Sequence, residues 1–213
     1  MTMMRKGIQM VTYEAIRETI QTGDVVLFRG KGRISRWIRW WCSLVTGLRP
    51  TWASHVGVAV REGRRLLLLE STSIRGGVKG VRLTPLSDAL AAYDGQVRLR
   101  RLSMIQTMER RAAIRRFVGG MLGRPYEQNL LELIRSAWTA TRNTTAAMDS
   151  VFCSELVAAL YQHMDLLPEL PPANNYTPED FRKGGAVDQA MAALGVNAAL
   201  GMEVDLDTKG IEP

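Results

Sequence analysis

The chain is poor in the residues that most often build metal sites and disulfide frameworks, with only two cysteines and two histidines in 213 residues. Cys42 and Cys153 are too few for a disulfide scaffold, and a reducing compartment is the expected setting. The same four residues show no ligand spacing, so neither a metal nor another cofactor is required. No run of eighteen apolar residues occurs, which argues against a spanning helix. The opening stretch MTMMRKGIQMVTYEAIRETI is basic but lacks the unbroken apolar core of a secretory signal. A cytoplasmic location is the default expectation.

Acidic residues are scarce in two regions. Between Arg29 and Arg65 nine Arg or Lys stand against Glu62 alone, and between Arg98 and Arg124 eight Arg stand against Glu109. From Ala186 onward the balance turns acidic, although the whole chain carries a formal charge of +7. Basic patches of this kind attract anionic partners such as nucleic acid, anionic lipid or cell-wall polymer. No nucleic-acid motif accompanies the arginines, so that partner rests on charge alone. A solvated basic surface is the plainer alternative.

What is present is a globular chain, 46% hydrophobic and 23% charged, long enough for one large domain with appendages. The pattern predicts a short helix over Tyr13–Gln21, then the strand VVLFRG. A helix follows in GRISRWIRWWCSLVTG, with Ile34, Trp37, Ile38, Trp41 and Val45 on one face and Arg33, Arg36 and Arg39 largely elsewhere. SHVGVAV, RRLLLLEST, VKGVRL and QVRLRRL read as strands, and PLSDALAAY opens a helix with proline at its start. From Thr107 a helix turns Met108, Ala112, Phe117, Val118 and Met121 inward. A further helix is expected over Leu130–Thr141, and an amphipathic one from about Asp149 or Ser150 through VFCSELVAALYQHM. The tail from Gly201 has little core signal and is expected to be loose. The fold class is therefore α+β, a meander of strands among helices.

His55 stands at the head of an apolar strand. A two-residue turn at Glu62-Gly63 would pair Arg61 with Arg64, and carrying that ladder outward sets His55 opposite Glu70. Their Cβ atoms would lie about 4.5–5.5 Å apart on one face. A carboxylate there fixes the imidazole tautomer and stabilises its protonated form. A chance cross-strand pair is the bland alternative. Cys153, in DSVFCSELV, falls near the predicted helix start, where terminal N–H groups favour thiolate and stabilise an oxyanion. A buried structural cysteine is the competing reading. Cys42, inside the Trp-rich helix, reads as structural, and His163 receives no role.

The order GDVVLFRG, SHVGVAV, LLLLEST, GRPYE, FCSELVAALY, YTPEDF resembles the circularly permuted papain-like amidases of the NlpC superfamily, relatives of lecithin:retinol acyltransferase. The resemblance spans roughly Gly23 to Phe181. It implies a permuted papain-like fold, an antiparallel sheet or partly open barrel packed against helices. It also implies Cys153 as nucleophile, His55 as general base and Glu70 as the orienting third member. Tyr126, in GRPYE, matches a tyrosine whose hydroxyl helps bind the oxyanion. Ser154, beside the nucleophile, and Trp52, just ahead of His55, are the other candidates for oxyanion or substrate binding.

The expected organisation is a helical lead-in over 1–22, a catalytic domain over 23–184 and an extension over 185–213. Three functions remain open. One is a cysteine amidase or peptidase acting through a thioester on an amide, such as a peptidoglycan-type cell-wall peptide; an extracellular substrate would then need delivery, for instance in a phage particle. Another is a thiol acyltransferase or lipid hydrolase at a membrane surface, where the Trp/Arg helix would suit an interface. The third is a non-enzymatic binding or structural module, since fold does not imply function.

Overall fold

The structure, a computed structural model, describes residues 3–5, 8–47, 51–72, 80–105, 107–122 and 145–211. Val25–Gly30 (β3) is apolar along both faces and almost fully buried, as a central strand must be. His55–Glu62 (β4) and Gly95–Met104 (β7) pair with it antiparallel on either side. Beyond β4 come Arg65–Thr72 (β5) and Gly80–Pro85 (β6). Beyond β7 come Ala198–Asp207 (β8), Ile8–Thr12 (β2) and Met3–Arg5 (β1). The eight-stranded sheet has β1 and β6 as its edges and stays open, and β2 with β8 is its one parallel pair among the described residues. This is the mixed α+β architecture expected, a largely antiparallel sheet packed by helices.

The period-two alternation of the central strands sends side chains to two separate cores. Val25, Leu27, Val56 and Val58 pack with Val157, Leu160 and Tyr161 of Thr145–His163 (α5) and with Ile114 and Val118 of Met108–Met121 (α4). Val26, Phe28, Leu66 and Leu68 pack on the other side with Tyr13 of Tyr13–Ile16 (α1) and with Leu86 and Leu90 of Leu86–Ala91 (α3). Each such burial stabilises by roughly 1.5–3 kcal/mol. Arg33–Thr46 (α2) and Ala186–Leu194 (α6) complete the helices described.

Several expectations are corrected. The β4–β5 turn is Gly63-Arg64 rather than Glu62-Gly63, because Glu62 pairs with Arg65. Gly63 takes the first central position with φ +59°, the glycine placement of a type II′ turn. Residues 1–22 are not simply helical, since two strands precede α1, which continues only as a single 3-10 turn over Arg17–Thr19. Met108 is 78% exposed because it opens α4, while Ile114 and Val118 form the buried turn. The helix expected over Leu130–Thr141 lies outside the described residues.

The tail is the largest correction. It holds β8, inserted between β2 and β7. Its acidic side chains hid the strand: Glu203 and Asp205 turn inward and meet Arg98 at 2.7 and 2.6 Å. Fully buried Arg100 secures the same segment, donating to the carbonyls of Phe181, Leu200 and Gly201 and to both oxygens of Asp188. With its donors so engaged, the guanidinium is tolerated in the interior.

Candidate active site

His55 opens β4 directly across from Phe28, and the two rings lie 5.3 Å apart between centroids. The revised turn moves Glu70 one diagonal step from the histidine instead of directly opposite. Because the change keeps the parity of the ladder, both side chains remain on the same face. His55 Nε2 meets Glu70 Oε2 at 2.8 Å. On the far side of the carboxylate Arg82, directly across in β6, donates from Nε to Oε1 at 2.9 Å. Arg82 escaped the sequence reading; it is the register of β5 against β6 that sets it opposite Glu70.

Cys153 belongs to the buried stripe of α5 with Leu156, Val157, Leu160 and Tyr161, residues three and four apart that face the sheet. It is not in a disulfide. The thiol hydrogen-bonds to His55; since Nε2 serves Glu70, Nδ1 is the ring nitrogen left for sulfur. Burial by itself would strip the imidazole of its proton, but the charge and hydrogen bond of Cys153, then those of Glu70, push its pKa up to about 10. For Glu70 burial works the other way, and the hydrogen bonds and charges of His55 and Arg82 hold the carboxyl down to about 2. The three side chains thus form a row, sulfur, imidazole and carboxylate, with Arg82 behind it.

The helix start differs from expectation. Since α5 begins at Thr145, Cys153 and the fully buried Ser154 lie two turns inside it. Their N–H groups fall within the helical ladder, not among the orphan donors of its first turn. The helix terminus therefore does not provide the oxyanion donors at these residues. Tyr126 lies outside the described residues. Glu155, two residues past the thiol, is buried with Oε2 lacking an acceptor or donor partner among the described residues, and burial pushes its pKa up to about 7.

The segment ahead of His55 is held at every residue. Thr51 Oγ1 donates to the Arg39 carbonyl, and Ser54 Oγ accepts from Gly30 N–H and donates to the Phe28 carbonyl. Between them the N–H groups of Trp52 and Ala53 both donate to Glu179 Oε2 at 2.8 Å. Glu179 sits in YTPEDF, where Asp180 accepts from both the N–H and the hydroxyl of Thr177 and so locks the turn that presents it. Arg182 binds the other Glu179 oxygen and bridges to Glu203 of β8. Trp52 lies beneath the Arg98 guanidinium, 4.1 Å from its ring centroid, and its indole N–H has no acceptor among the described residues. Sequence proximity had suggested Trp52, but nothing local signalled Glu179.

A cavity of about 630 Å³ opens at the other end of β4, lined by Thr22, Val60, Glu62 and Arg115 among others, and holds none of the candidate residues. Among the described residues, no three His, Cys, Asp or Glu side chains gather as metal ligands. No helix among them is long and apolar enough to cross a membrane.

Comparison with known proteins places these features in a wider context. The family described as permuted papain-like amidase enzymes, YaeF/YiiX, C92 family, matches residues 19–181. No curated protein matches the chain. Among solved structures, the crystal structure of the metalloprotein yiiX from Escherichia coli O157:H7 is similar, with 23% identity and a TM-score of 0.44. That likeness covers 68% of this chain and 66% of the other, so the chain spans just under two thirds of that relative's length. The match to the family ends at Phe181, leaving α6 and β8 beyond it.

Proposed function

The chain belongs to the permuted papain-like amidase family, and on that premise we propose that it is a thiol hydrolase of amide bonds using Cys153, His55 and Glu70. The observation that carries this reading is the continuous contact from thiol to imidazole to carboxylate, closed by the 2.8 Å His55–Glu70 bond. A lone cross-strand His–Glu pair would not also meet a buried cysteine from a different element.

In this reading the Cys153 thiolate attacks the carbonyl carbon of the substrate, forming a C–S bond and placing negative charge on the carbonyl oxygen. His55 gives its proton to the leaving nitrogen as the C–N bond breaks, and a thioester remains on sulfur. His55, now neutral, takes a proton from water, whose oxygen attacks the thioester and releases the acid and the thiolate. Glu70 keeps the imidazole oriented and stabilises its cation throughout, while Arg82 holds Glu70. The indole N–H of Trp52, without an acceptor among the described residues, is the candidate donor to the substrate carbonyl, with Tyr126 as the second donor implied by the family pattern. Cell-wall-type peptides are the first substrates to try.

The test is covalent. The protein is incubated with a panel of activated esters and small peptide amides, and its mass is read intact and after digestion. We expect one acyl group on Cys153 in the wild type, none in Cys153→Ala, and formation at least about a hundredfold slower in His55→Ala, the scale of general-base assistance. Acylation that ignores Cys153, or that proceeds equally in His55→Ala, refutes the mechanism.

A further inference from the structure

We propose that the outward face of α2 is a docking surface for an anionic lipid membrane. The helix RISRWIRWWCSLVT buries Ile38, Cys42 and Ser43. Among its described side chains the exposed ones form a single stripe at helical spacing, Arg33, Arg36, Trp40 and Leu44, with Trp40 57% and Leu44 50% exposed. Isolated exposed apolar residues are ordinary. A tryptophan and a leucine one turn apart, in line with two arginines, form instead the pattern of a helix that lies in the plane of a bilayer interface, its apolar residues inserted among headgroups and its cations beside them.

Charge commits the surface to an anionic partner. The helix contains no Asp or Glu. Arg39 is partly buried with Arg29 and Arg36 close enough to work against its own charge. Nucleic acid would use the arginines but leave Leu44 in water, whereas a bilayer uses both halves of the stripe.

The place in the fold gives docking a consequence. The helix leaves the central strand β3 and leads back toward the segment ahead of His55, and the Thr51 hydroxyl on that segment donates to the carbonyl of Arg39. A membrane bound at α2 therefore lies next to the His55 end of the site. Resting on the function proposed above, the substrate class becomes an amide carried on a lipid or lipid-anchored molecule.

The experiment uses the full chain carrying Cys153→Ala, so that docking is read without any chemistry and its outcome is independent of the hydrolase reading. Sedimentation compares vesicles of phosphatidylcholine alone with vesicles that also contain phosphatidylglycerol, at low and high salt. Binding is expected to the anionic vesicles only. Arg33→Gln with Arg36→Gln should weaken it roughly 10–30-fold at low salt, about fivefold per cation. Trp40→Ser with Leu44→Ser should weaken it at least about tenfold, with an unchanged circular dichroism spectrum in both double variants. Absence of binding to anionic vesicles overturns the proposal. So does binding that the Trp40/Leu44 pair does not influence, which is mere adsorption of a basic protein. Binding of a single-stranded oligonucleotide in place of vesicles also overturns it and assigns the face to nucleic acid.

Discussion

Replacing Glu70 by glutamine preserves size and one acceptor oxygen while removing the charge beside His55. The carboxylate and the imidazole meet at 2.8 Å with side chains only 7% and 20% exposed. At an effective dielectric near 20, charge centres about 4 Å apart attract by roughly 4 kcal/mol. A second route gives a comparable scale. His55 is lifted from its ordinary 6.5 to about 10 against the opposing effect of burial, with Cys153 contributing more and Glu70 less. At about 1.4 kcal/mol per pH unit, the net lift corresponds to about 5 kcal/mol. Glu70's part, less the hydrogen bond that glutamine retains, is then about 2 kcal/mol.

Glu70→Gln should accordingly lower the midpoint of His55 by about one to two pH units. Histidine-labelled protein has only two imidazoles, and His163→Gln assigns them, so NMR titration reads His55 directly. The sign also reaches stability. A histidine whose folded value is raised contributes stability that is complete below 6.5 and lost as pH rises through about 10. Denaturant unfolding of the wild type should therefore weaken across that window, and Glu70→Gln should flatten the decline. A wild-type His55 that titrates near 6.5 refutes the reasoning, as does a midpoint that Glu70→Gln leaves unmoved.

Glu179→Gln should cost about 2–3 kcal/mol in urea unfolding, because one carboxylate oxygen accepts two buried N–H groups and the new amide would face Arg182. It should also slow alkylation of Cys153 if the 51–54 segment holds His55 in place, and equal rates would limit Glu179 to a structural role. Arg100→Met should cost about 3–5 kcal/mol, since it leaves Asp188 and three carbonyls without their donor. Limited proteolysis should then release the segment containing β8, and an undiminished urea midpoint would contradict this account of how the segment is held.

Local patterns in the sequence determined much of this protein. Strand β3 and helix α2 follow from hydrophobic periodicity, and the pairing of His55 with Glu70 followed from strand parity. The turn was misplaced by one residue on each side, yet the two side chains stayed on one face because side chains alternate with a period of two. The lack of acid in α2 was equally plain, but which of its tryptophans met water was not.

Tertiary structure alone decided the rest. Glu179 lies 127 residues from the Trp52 backbone it holds, and a carboxylate reaching two N–H groups across that separation leaves no periodic trace. The ladder from Arg98 and Arg182 to Glu203 and Asp205 made an internal strand look like a polar tail, since its inward side chains are charged and only their distant partners make burial tolerable. The same holds for Cys153. Its buried stripe was written in the spacing of α5, but the meeting of its thiol with His55 required the helix to be laid across the sheet. Periodicity belongs to a segment, whereas complementarity belongs to pairs of segments and exists only once they are packed together.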